Sequence, residues 1–210
     1  MRFHLVYSGS LPASASSSKP SDVRRIREDL HPQLANLWAT HPALKALNED
    51  GAKRIANNTH LLGMQQPTAR QMMRFVPQEY QDVIPELSVG TCKYIPLVRE
   101  SLHLSCELGI LFLRQQDPGA LVSQGGDIDN RVKTLLDALR MPSKDEQDRS
   151  QQPENSSLYC LMESDTLVSR LDIDTDRLLF PQSEKPHEVH LVIEVSLNVL
   201  RVASYNMCLL

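Results

Sequence analysis

The stretch LHLSCELGILFLRQQDPGALVSQGGDIDNRVKTLLDAL, residues 102–139, decides how the rest of the chain is read. Leu102, Leu104, Cys106 and Leu108 alternate with polar neighbours and lead into Gly109-Ile-Leu-Phe-Leu113, which predicts a strand entering a core. The turn residues Asp117-Pro118-Gly119 follow, and then Gly125-Gly126-Asp127-Ile128-Asp129-Asn130. Beyond them Val132, Leu135, Leu136 and Leu139 mark one face of a helix. A strand, a glycine turn, an acidic pair and a helix in this order predict an α/β (α+β) fold, a small mixed sheet with packed helices.

Working outward, Arg2 to Tyr7 reads as an opening strand and Leu11 to Pro20 as the loop after it. Ser21 or Asp22 can cap a helix carrying Val23, Ile26, Leu30, Leu34 and Leu37, with Pro32 expected to bend it or begin a new segment. Leu44 to Leu62 offers another helix, while Thr68 to Pro96, punctuated by Pro77, Pro85 and Pro96, has no clear period. Pro142 to Ser157 is almost wholly polar and is expected to be a flexible insertion. Thr166 to Leu171 and His187 to Leu200 read as two further strands. The expected order is strand, helix, strand, Asp-bearing helix, strand, strand, in a single domain spanning 1–210.

The composition, 41% hydrophobic and 23% charged over 210 residues, suits one folded domain and excludes collagenous or wholly disordered chains. The net charge of -4 conceals an asymmetry. Met1 to Arg99 holds 12 Lys and Arg against 8 Asp and Glu, and Glu100 to Leu210 holds 10 against 18. A basic front half beside an acidic back half suits a polyanion in one region and metal-binding carboxylates in another, although solvated surface charge accounts for it equally. Cys92, Cys106, Cys160 and Cys208 are too widely spaced for a metal knuckle and are expected to be buried reduced thiols. With no secretory core and no apolar run of membrane-spanning length, the expected location is cytoplasmic, with no membrane partner.

Asp127 and Asp129 lie two residues apart, which in an extended segment puts both carboxylates on one side of the backbone. Such a pair suits a hard cation such as Mg²⁺, which keeps several waters and recruits phosphate oxygens. Gly125 and Gly126 remove side chains where a phosphate backbone would approach, and Asn130 and Arg131 beside them are read as substrate contacts. An acid or amide just before a helix is also an ordinary N-cap, so Asp129 or Asn130 can be explained that way. Lys133 lies four residues after Asp129 and four before Asp137. It either offsets charge on a phosphoryl transition state or ladders between two carboxylates on an exposed face.

Asp127-Ile-Asp129-Asn130 with Lys133, then Leu136-Asp137-Ala138-Leu139, then Asp165 just before Thr166-Leu-Val168, resembles the RusA-like family of Holliday-junction resolvases. The match covers Asp127 to Arg140 and Leu158 to Arg170. The resemblance implies a nuclease that hydrolyses phosphodiesters in branched DNA, in recombination and repair, working as a homodimer with Mg²⁺, or Mn²⁺ as a substitute. It makes Asp127, Asp129 and Asp165 the metal ligands and Lys133 the catalytic cation. This chain departs from the family at Ser164, where a second acid is common, in the 142–157 insertion, in lacking basic residues before Asp127, and in its enlarged N-terminal half.

Rival chemistry finds less support. Asp172-Ile-Asp174-Thr-Asp176 begins like a calcium loop, but its sixth position is Arg177 and its twelfth Ser183, so a solvent-facing strand edge is expected instead. His187-Glu188-Val189-His190 lacks the spacing of a zinc-protease helix and reads as the start of a strand. A nucleotidyltransferase needs a helix between its glycines and aspartates, and a glycosyltransferase a larger nucleotide-binding fold. The alternative outside catalysis is a structure-binding or partner-binding module on the same fold.

Overall fold

The computed structural model describes residues 1–12, 20–45, 86–114, 127–143, 146, 157–179, 188–202 and 206–210. All of the expected helix over Leu44–Leu62 beyond Lys45, most of the stretch from Thr68 to Pro96 and most of the 142–157 insertion lie outside them. The fold is mixed α+β. Its strands are β1 (Arg2–Ser10), β2 (Leu87–Val89), β3 (Cys92–Val98), β4 (Leu104–Arg114), β5 (Ser157–Met162), β6 (Val168–Arg177) and β7 (Glu188–Val199). Among the described residues, helices α1 (Pro20–Thr40) and α2 (Asp127–Leu139) are accompanied by short 3₁₀ turns at Asp165–Leu167 and Met207–Leu209.

The strands form two sheets where the sequence suggested one. The larger has the order β1-β7-β4-β6, antiparallel except for the parallel β4/β6 pair. The smaller has the order β2-β3-β5, with β3 and β5 parallel. Period-two alternation puts Leu5 and Tyr7 of β1, Leu108, Ile110 and Phe112 of β4, and Leu191, Ile193 and Val195 of β7 on one buried face. The other face is solvated, the arrangement natural to a largely antiparallel sheet.

Helix α1 supplies Ile26, Leu30, Leu34 and Trp38 to that core at helical spacing. Pro32 neither ends nor splits it. The proline lies on the exposed side of the helix, so the Glu28 carbonyl left without an N–H partner faces solvent. The sequence reading also missed β3, whose Pro96 argues against an interior strand. In the structure the β2 pairing covers only Cys92 to Tyr94, so among the described residues Pro96 has a partner strand on one flank of β3 alone, β5. At the β2–β3 hairpin the two-residue loop begins with Gly90 at φ 58°, a conformation that favours glycine.

Helix α1 also fastens the two sheets together through side-chain bonds to backbone. Gln33 accepts from the Val6 N–H at 2.9 Å and donates to the Val6 carbonyl at 2.7 Å, closing the outer edge of β1. Two residues earlier, His31 Nδ1 accepts from the Tyr159 N–H of β5 at 3.0 Å. Near the same end Arg25 donates to the Ser10 carbonyl at 2.6 Å, and buried Arg27 donates to the Asp137 carbonyl of α2 at 2.6 Å.

Three of the four cysteines match expectation. Cys92, Cys106 and Cys160 are buried and reduced, and burial pushes the Cys106 and Cys160 thiols up to about 12. Cys208 is exposed, because it belongs to a surface 3₁₀ turn rather than to a core strand. The Asp172 to Asp176 stretch belongs to strand β6 and Glu188 opens β7, both as expected, while His187 lies outside the described residues.

Candidate functional site

Helix α2 returns from the far end of β4 toward its start. Near its N-terminal end Arg131 donates to the carbonyl of Leu11, just past the end of β1. Beyond its C-terminal end Arg140 bridges Met162 in parallel, and Met141 N–H donates to the Met162 carbonyl at 2.8 Å. Met162 ends β5, which leads through the Asp165–Leu167 turn to Val168 beside Cys106 at the start of β4.

Of the residues singled out from sequence, Gly125, Gly126 and the Asp127 side chain lie outside the described residues. Asp127 is the first residue of α2, so Asp129 and Asn130 are inside its opening turn and are not N-caps. The helix also removes the argument that spacing alone aligns Asp127 with Asp129. Residues two apart on a helix do not face one another, whereas in an extended segment they do. Asp129 and Lys133 are both exposed and, four residues apart, share one stripe of α2.

The alternative for Lys133, a ladder from Asp129 through Lys133 to Asp137, does not form among the described residues. Asp137 belongs to Arg140, which meets its Oδ1 through Nε at 3.0 Å and Nη2 at 2.9 Å. The same guanidinium reaches Glu146 at 2.6 Å, and Ser143 N–H donates to Glu146 at 3.1 Å. Burial pushes the Glu146 carboxyl upward, yet Arg140 and the Ser143 N–H outweigh it and hold the group below its usual value. Lys133 makes no hydrogen bond or ion pair with any described residue.

Arg131 corrects the sequence reading. It is 4% exposed and donates to the Leu11 carbonyl, so it ties α2 to the end of β1 and is not on the exposed stripe. Asn130 is half-buried, with its backbone carbonyl accepting from Thr134 Oγ1 at 2.9 Å.

Asp165 is exposed in its 3₁₀ turn, three residues past the strand end that Arg140 bridges. Ser164, where the resemblance suggested an acid, caps that turn, its Oγ accepting from Thr166 N–H at 3.3 Å. Asp129 stands at the opposite end of α2, and the rise from there to Leu139 is about 15 Å. Asp165 therefore does not join Asp129 in one carboxylate cage within the chain. Among the described residues no three His, Cys, Asp or Glu side chains converge on a metal-sized site.

Sequence reasoning gave no hint of the roles of His31, Gln33, Arg131 and Arg140. Each bonds a backbone or carboxylate group that only the packed fold brings near. Among the described residues no helix is long and apolar enough to cross a membrane. No protein family, curated protein or solved structure matches the chain.

Proposed function

We propose that this chain is a metal-dependent endonuclease of the RusA-like kind, acting on branched DNA, with its working groups on the first two turns of α2. The observation that carries the reading is the exposed stripe of Asp129 and Lys133, with Asp137 drawn away by Arg140 so that the lysine stays uncommitted. An exposed ammonium one turn inside a helix start adds to the N–H groups that already favour phosphate there. Asp129 is the carboxylate on this stripe that would hold Mg²⁺, a cation that works with one or two carboxylates when water and substrate phosphate complete its shell. When bound, the ion supplies Lewis acidity and an activated water. Lys133 would hold a non-bridging phosphate oxygen, and Asp165 is left out of the site.

The position of Asp165 favours a second reading, a structure-binding module on this fold that does not cut. One assay separates the two. A labelled four-way junction incubated with the chain should be nicked with Mg²⁺ and untouched with EDTA, and Asp129→Asn should bind the junction without cutting it. Tight junction binding with no nicking in Mg²⁺ or Mn²⁺ establishes the second reading. A panel of junction, fork, duplex and single strand then defines the substrate.

A further inference from the structure

We propose that the outer edge of β6 is a docking site for an extended basic segment of a partner protein, which adds to the larger sheet as a fifth strand. The fold treats its sheet edges unequally. Gln33 occupies both backbone groups of Val6 on the outer edge of β1, and His31 takes the Tyr159 N–H of β5. Strand β2 is only three residues long. Strand β6 runs ten residues at the other end of the larger sheet and, among the described residues, has none of these protections. Among the described residues nothing hydrogen-bonds its outer backbone between Arg170 and Thr175, and it contains no proline.

The side chains of β6 specify the visitor. Register with β4 places Arg170, Asp172, Asp174 and Asp176 beside Glu107, Gly109, Leu111 and Leu113 on the solvated face. Leu171, Ile173 and Thr175 align with Leu108, Ile110 and Phe112 on the core face. Leu171 is still 37% exposed there, and Ile173 is incompletely covered. Asp172 is paired with Arg170 at 2.8 Å, whereas Asp174 has no ion pair among the described residues. An added strand sets its side chains about 4.5–5.5 Å from those of its neighbour, alternately on the two faces. Lysine or arginine at every second position would therefore meet the aspartates, and the apolar residues between them would cover Leu171 and Ile173. This is recognition by strand addition, with backbone bonds for affinity and alternate side chains for specificity. A second copy of β6 is a poor occupant, since it would set aspartate against aspartate. Charge alone can protect an edge from aggregation, but the exposed leucine on the inner row remains adhesive.

The test uses a fluorescein-labelled Lys-Val-Lys-Val-Lys-Val-Lys peptide and the full chain, followed by anisotropy. Binding should fall at least tenfold for the matching Glu-Val peptide and at least tenfold for Asp172→Lys/Asp174→Lys, a surface change that spares the core. N-methylation of either the lysine amides or the valine amides should abolish binding, while methylation of the other set should leave it within threefold. Hydrogen exchange should show new protection in Arg170 to Thr175 only when the peptide is present. Equal binding of the two methylated peptides, or none of the Lys-Val peptide, overturns the proposal. So does protection of β6 amides in the free protein that disappears on dilution, which would make a second copy the occupant.

Discussion

Replacing Arg131 with methionine separates a structural arginine from a substrate contact. The guanidinium is almost fully buried and donates to the carbonyl of Leu11, itself fully buried. Methionine fills similar space but cannot donate. The variant loses the charge-assisted hydrogen bond to Leu11, about 1.5–3 kcal/mol, and leaves that buried carbonyl without this donor, so the expected cost is about 3 kcal/mol or more. For a domain of this size that lowers the melting temperature by about 6–12 °C. Differential scanning calorimetry and urea unfolding measure the effect, and junction binding should be recorded well below the new melting temperature. Binding there should be within about twofold of wild type, because the side chain does not reach the surface. Arg131→Lys should recover part of the stability through its single ammonium donor. A melting temperature within about 1 °C of wild type, coupled with lost junction affinity, would refute the assignment and return Arg131 to the substrate side.

Lys133→Ala should change stability by less than about 0.5 kcal/mol, since the exposed lysine has no pair to lose among the described residues, yet lower single-turnover cleavage by roughly 10²-fold; an unchanged rate removes it from the chemistry. Burial lowers the His31 pKa below its ordinary 6.5, and its Nδ1 must be unprotonated to accept from Tyr159. The unfolded chain therefore binds this proton more readily, so the contribution of His31 is complete above about pH 6.5 and is lost as the pH falls through the lower folded value. The melting temperature of His31→Phe should accordingly depend less on pH between 7.5 and 5 than that of wild type, and parallel curves would contradict the contact. Maleimide labelling at pH 7.5 followed by mass spectrometry should modify exposed Cys208 first and leave Cys106 and Cys160 unmodified while the protein is folded; early labelling of Cys160 would show that β5 opens readily.

Local patterning was enough to make β4, β7 and the apolar stripe of α2 legible, because alternation and helical spacing are properties of neighbouring residues. The same holds for β6, where the failed calcium-loop pattern left an exposed strand as the simpler account. Prolines misled in both directions. Pro32 stands inside a continuous helix because it lies on the exposed side, with exposed Glu28 one turn before it, and Pro96 stands inside β3 where, among the described residues, β2 does not reach it. Neither circumstance is written in the adjoining residues. The candidate site shows the same division. That Asp129 and Lys133 belong to one exposed stripe follows from their spacing once α2 is known to begin at Asp127. That Arg140 claims Asp137, that Arg131 turns inward to Leu11, and that Asp165 lies beyond the opposite end of the helix depend on how α2 packs against β1 and β5. Such partners are separated by loops whose length the chain states but whose path it does not, so the sequence determined the chemical types of these residues and only tertiary packing decided which of them meet.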